Sequence, residues 1–172
     1  MIGGVPYPLR RGGPVAVDDI DFVLSAYRED GQWRVESLPR YIGDDLDGLT
    51  STLRGLPADF GATAFVSVDD DFFIVVRVMG PQQRLFLSDV TAATDWLLAR
   101  QVLERLDLPL PEDEEPVQPA GDAGILADLG VEPMDLAAVC DDIDLYPDEM
   151  ILVLASMMGI GDQAEQTLNA PT

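Results

Sequence analysis

Residues 62–88 read ATAFVSVDDDFFIVVRVMGPQQRLFLS. Three short runs of β-branched, aromatic and other apolar residues are separated by polar punctuation: Asp69-Asp70-Asp71 after the first, Gly80-Pro81 after the second. Connections this tight allow only antiparallel neighbours, so the stretch predicts three antiparallel strands in succession. The middle run, Phe72 to Met79, is almost wholly apolar, the pattern of a strand covered on both faces.

The flanking sequence extends this pattern. Upstream, IDFVLSAY starts a strand at Ile20, EDG turns the chain, and WRVESL returns with Trp33, Val35 and Ser37 on one face. Gly43, Asp44 and Asp45 open a helix carrying Leu46, Leu49 and Leu53 on one side. Acids in its first turn suit the helix dipole, and Gly55 with Pro57 stops it. Downstream, a helix is expected from about Thr91 to Leu106, with Trp96, Leu97, Val102, Leu103 and Leu106 as its inward face. The order β-β-α-β-β-β-α over residues 17–106 predicts an α+β domain: a five-stranded antiparallel sheet with helices on one face or both. Longin- and roadblock-like domains, mostly interaction platforms, share this element order, an analogy that fixes no function.

Outside that region the composition changes. Residues 1–16 are rich in Gly and Pro and are expected to be flexible, as is the tail 169–172. Residues 107–122 hold four prolines and five acids up to Glu115, the signature of an acidic linker. Beyond it, 123–168 predicts a small helical module. Ile125, Leu126 and Leu129 form a short helix closed by Gly130, Pro133 opens a second helix reaching about Asp142, and Pro147 opens a third ending near Met158.

Charge is strongly segregated. The 172 residues carry 32 acids and 10 bases, net −22, and every base is arginine. Residues 107–172 contain 16 acids and no base. Solubility, or the acidic, lysine-poor residue usage of a GC-rich genome, is the plain reading of this balance, and docking of the last third on a basic surface is the sharper one; a phosphate backbone would be repelled. With no histidine and no lysine, His-based acid–base catalysis, His metal ligation and Schiff-base chemistry are excluded. The single cysteine, Cys140, excludes an intrachain disulfide and a Cys-only zinc site. Arg10 and Arg11 are followed by no apolar segment of the kind a secretory signal needs. The longest apolar run, Met150 to Met158, spans nine residues, about half of a membrane crossing. A cytoplasmic location is the expectation.

Four features are candidates for chemistry or binding. DDIDLYPDE (141–149) packs five acids into nine positions. It lacks the glycine and terminal glutamate of an EF-hand, so a solvated loop, a partner contact and a Ca²⁺ or Mg²⁺ site stay open. Asp141 and Asp142 sit where a helix ends and their charge is disfavoured, whereas Asp148 and Glu149 open the next helix, where it is favoured. A basic partner would offset the first pair. MILVLASMM (150–158) is apolar all round: either core, or an adaptable methionine-rich binding surface. Asp69-Asp70-Asp71 reads as a polar turn before it reads as a carboxylate site. Cys140 has no neighbouring cation in sequence to activate it. The candidate partner-binding set is Asp141, Asp142, Asp144, Asp148, Glu149, Met150, Met157 and Met158; no catalytic residue, metal ligand or cofactor site is assigned.

Taken together, DDIDFVLSAYREDGQWRVESLP, ATAFVSVDDDFFIVVRV, LSDVTAATDWLLA and the GILADLG…LYPDEM block resemble the actinobacterial tRNA adenosine deaminase-associated protein family, over roughly residues 17–168. None of these stretches is a catalytic motif, so the resemblance carries over no functional residues. A zinc nucleobase deaminase requires His or Cys ligands with a Pro-Cys-x-x-Cys pair. This chain has no histidine and one cysteine, so it is not itself the deaminase. The leading expectation is a non-enzymatic acidic accessory protein that binds a protein partner, with a tRNA adenosine deaminase as the candidate the resemblance supplies. The alternatives are a self-associating longin-like module, dimerising through a strand edge or the Met-rich helix, and a carboxylate enzyme holding a divalent metal at Asp69–Asp71 or in 141–149.

Overall fold

A computed structural model describes residues 19–170. The expected flexible N-terminus, 1–16, lies outside the described residues, as does the end of the 169–172 tail. Six antiparallel strands form one sheet, β1 (Ile20–Glu29), β2 (Gln32–Leu38), β3 (Ala62–Val68), β4 (Phe72–Met79), β5 (Gln82–Leu87) and β6 (Ala120–Gly121). Their spatial order is β2-β1-β3-β4-β5-β6. Five α-helices accompany them: α1 (Leu46–Arg54), α2 (Leu97–Arg105), α3 (Pro133–Asp141), α4 (Pro147–Met157) and α5 (Gly161–Asn169).

The sheet is the middle of three layers. β3 and all of β4 up to Val78 are buried, as their uninterrupted apolar runs demand. Alternate residues feed two separate cores. Val66, Ile74, Val76 and Leu87 join Leu46, Leu49 and Leu53 of α1 and Leu98, Val102 and Leu103 of α2. Leu24, Phe65, Phe73, Val75 and Phe86 join Leu136 of α3 and Ile151 and Leu154 of α4 on the opposite face. The helices after residue 123 therefore bury the second face of the same sheet.

The five-stranded expectation needs correction. The sixth strand is the end of the acidic Pro-rich segment: Ala120 pairs with Leu87 and Gly121 with Phe86. Gly121 has φ +104 and approaches the Leu85 carbonyl so closely that no Cβ fits there. A two-residue strand after a proline has no periodicity to betray it. The expected helix from Thr91 also starts late. The Asp89 carboxylate accepts from Thr91 N (2.9 Å) and Thr91 Oγ1 (2.7 Å), folding Val90–Thr94 into a 3₁₀ turn. Trp96 is then extended, its indole donating to Asp71 at 2.6 Å, before α2 begins at Leu97. On the other side, Asp45 caps α1 by accepting from Gly48 N at 2.9 Å. α5 is an element the sequence reading did not separate from the module; its Ala164 is buried and its Thr167 hydroxyl donates to the Val35 carbonyl of edge strand β2 (3.2 Å).

Candidate interaction surface

The second layer is pinned to the sheet by charge as well as by apolar packing. Arg77, in the centre of β4, has a side chain only 6% exposed. Its guanidinium donates to both carboxylate oxygens of Asp128 (2.7 Å to Oδ2) and to the Ile125 carbonyl (2.9 Å). On β5, Arg84 donates to Asp122 at 2.6 Å and to the Gly124 carbonyl at 2.9 Å. These bonds hold both Asp122 and Asp128 below the ordinary carboxylate range, the arginine hydrogen bond being the main cause in each. Sequence reading missed them because each arginine meets its acid about 40 to 50 residues away.

From this anchored base, α3, the 142–146 loop and α4 present the acidic run. Asp142 ends α3, its N–H donating to the Val139 carbonyl, and its Oδ1 accepts from Asp144 N at 3.0 Å. Glu149 Oε1 accepts from Tyr146 N at 3.0 Å, and Asp148 Oδ1 from Glu149 N at 2.9 Å, at the start of α4. Asp142, Asp148 and Glu149 thus shape the loop, while Asp141 and Asp144 are exposed. Ile143, between them, is 96% exposed, and Tyr146, just beyond Asp144, is 60% exposed. Both are large apolar groups, and neither was among the residues singled out from sequence. The methionines divide: Met150 and Met158 are buried in the second core with Ile151 and Leu154, whereas Met157 is part-exposed.

Among the described residues no group of three or more Cys, Asp or Glu is placed to hold a metal ion. Asp69 and Asp70 adopt positive φ in the β3–β4 turn, and Asp71 accepts the Trp96 indole, so this trio shapes a turn. No buried side-chain nitrogen or oxygen among the described residues lacks a hydrogen-bond partner. Burial, with a smaller contribution from Asp141, pushes the Cys140 thiol up to about 12. At pH 8 it is expected to react with an aromatic disulfide reagent at least ~100-fold more slowly than in the urea-unfolded chain. Equal rates would mean that α3 opens readily. No described helix is long and apolar enough to cross a membrane.

The geometry defines an acidic three-layer α+β protein whose C-terminal helices display carboxylates around solvent-facing apolar side chains. The model of the Rv3753c-like tRNA adenosine deaminase-associated protein family matches residues 21–161, and the chain belongs to that family. It is similar to Protein Rv3753c of Mycobacterium tuberculosis (strain ATCC 25618 / H37Rv), 35% identical over 159 residues, covering 91% of this chain and 92% of the relative. No solved structure matches it. The longin- or roadblock-like relation drawn from element order thus has no structural relative behind it.

Proposed function

We propose that this protein is a non-catalytic accessory subunit that docks its 141–149 face on a basic surface of a protein partner, with a tRNA adenosine deaminase as the first candidate. The observation that carries this reading is Ile143, almost fully exposed in a loop of carboxylates, within residues 107–172, which contain no base. An exposed aliphatic anchor ringed by like charges suits a partner that supplies both an apolar socket and cations. The family's description names an association with tRNA adenosine deaminase, an enzyme class whose substrate is a polyanion. An acidic protein covering part of a basic tRNA-binding face would tune access or stabilise the enzyme. Met150 and Met158 support α4 from inside, which leaves Asp141, Asp142, Ile143, Asp144, Tyr146, Asp148 and Glu149 as the contact set, with Met157 at its margin. Strand-edge self-pairing is less favoured, because α5 bonds to β2 and the opposite edge is a two-residue strand.

The test is co-purification of the full chain with the deaminase at low and high salt. A complex that weakens at least ~10-fold between about 50 and 300 mM salt is expected. Ile143→Ser with Tyr146→Ser is expected to weaken it by about tenfold or more at constant salt, since central apolar anchors dominate interfaces. Absence of a complex at low salt ends this reading.

A further inference from the structure

A second surface lies at the opposite kind of chemistry. The strand register sets Val35, Ala26, Thr63, Arg77 and Arg84 in one row across five strands, with Trp33 beside Arg28 in the next. The 122–129 segment crosses this face where Arg84 and Arg77 hold it. Beside that crossing the chain leaves a hollow over Gly61, next to Ala26 and Thr63, which are themselves nearly covered. The result is a cavity of about 340 Å³, walled by Trp33, Leu129 and the Arg77–Asp128 pair, with Phe60 at its lip. That is large enough for one aromatic or branched side chain, near the lower end of ligand-site volumes.

Phe60 is 80% exposed, yet its loop is firmly tied. Asp59 N donates to the Arg28 carbonyl at 2.7 Å, and the two Asp59 oxygens accept from Asp30 N (3.1 Å) and Gly31 N (3.0 Å). Gly61, at φ +108, leaves no room for a Cβ against the Val78 carbonyl. An exposed aromatic ring on a fixed base binds with little further loss of freedom. On its other side lies a second hollow, about 450 Å³, which Arg54 helps to line. In a chain of net charge −22, the cations here are unusual. Arg28 lies over the Trp33 ring at 4.8 Å, and Arg54 donates to the carbonyls of Gly80 and Pro81; neither has a carboxylate partner among the described residues. Of the nearby acids, Asp128 is paired with Arg77 and Asp59 is turned onto backbone N–H groups, while Asp30 faces solvent in the turn beyond Arg28.

We propose that the Phe60 end of the sheet is a docking site for a protein partner's segment that presents an aromatic side chain flanked by carboxylates. The aromatic ring enters the hollow over Gly61, packing on Phe60 and Trp33, and the carboxylates meet Arg28 and Arg54. This site selects the reverse charge from the 141–149 face and stands whether or not that face binds a deaminase.

The experiment titrates the full chain with Ac-Glu-Phe-Glu-NH2 and, separately, Ac-Lys-Phe-Lys-NH2. Trp33 reports the cavity, since the other tryptophan, Trp96, is buried on the far face and bonded to Asp71. Amide resonances of Gly61 and Thr63 give a second readout. Saturation near 1 mM is expected for the acidic peptide, and at least ~10-fold weaker binding for the basic one. Phe60→Ser is expected to weaken the acidic peptide by about fivefold or more, and Arg28→Gln with Arg54→Gln to remove the preference between the two peptides. All three positions are solvent-facing, so melting within about 2 °C of the parent should verify an intact fold. No saturation by about 10 mM, equal affinity for both peptides, or binding indifferent to Phe60→Ser would overturn the proposal.

Discussion

Removal of residues 123–172 is expected to abolish cooperative folding of the remainder. Leu24, Phe65, Phe73, Val75 and Phe86 are all at most 2% exposed, and the helices beyond residue 123 are what cover them. Exposing five such side chains costs about 1.5–3 kcal/mol each, of order 10 kcal/mol together. A domain of this size has only about 5–15 kcal/mol to lose. Circular dichroism and amide dispersion of a 1–122 fragment, compared with the full chain, check the point. A fragment that melts cooperatively near the parent temperature would show that the sheet domain is self-sufficient and the helical segment an accessory to it.

Asp128→Ala is expected to destabilise the full chain by about 2–3 kcal/mol, below the ~3–5 kcal/mol of a fully buried pair because the Asp128 side chain is 56% exposed and water replaces part of what is lost. It strands the Arg77 guanidinium in the middle of β4 with only the Ile125 carbonyl as acceptor. For a chain of this length that corresponds to a melting temperature lower by about 5–10 °C. Asp128→Asn, which keeps an acceptor, should fall between the parent and Asp128→Ala. Arg77→Met with Asp128→Leu should lose less than Asp128→Ala alone, because no buried charge is left without a partner. An Asp128→Ala protein that melts with the parent would mean that the pair contributes nothing.

The same bonds set a pH dependence. Asp122 and Asp128 have folded-state pKa values below the ordinary 3.8. Their contribution is therefore fully present above that value and is lost as pH falls through the lower, folded-state values. Denaturant melts from pH 6 downward should show it, and the acid-limb slope should become shallower in Asp128→Ala. An unchanged slope would sever the link between these carboxylates and acid stability.

Much of the local structure was legible because the signals that fix it are local. Asp45 three residues before Gly48 caps α1, Pro133 and Pro147 open α3 and α4, and the apolar run from Phe72 marks a strand covered on both faces. Absence of histidine and lysine removes whole classes of mechanism without reference to any fold. Charge segregation is equally a property of the chain.

What the sequence could not deliver depends on groups that meet only after folding. Ala120–Gly121 become a strand because Phe86 and Leu87 offer an edge to them, and the Gly121 backbone fits where a Cβ would not. MILVLASMM reads alike as core or binding surface, until packing on the sheet buries Met150 and Met158 and leaves Met157 part-exposed. Ile143 and Phe60 carry ordinary apolar side chains, and only the absence of neighbours around them makes each an anchor. The sequence by itself determined five of the six strands, the starts of α1, α3 and α4, the missing chemistries and the acidic stretch from residue 107 onward, since short-range propensity and composition suffice for these. The tertiary structure decided that one sheet serves two cores, that Arg77 and Arg84 fasten the second layer, and which apolar groups face water. Those outcomes depend on contacts between residues tens of positions apart, whose pairing is fixed by the folded chain and by nothing in their immediate neighbours.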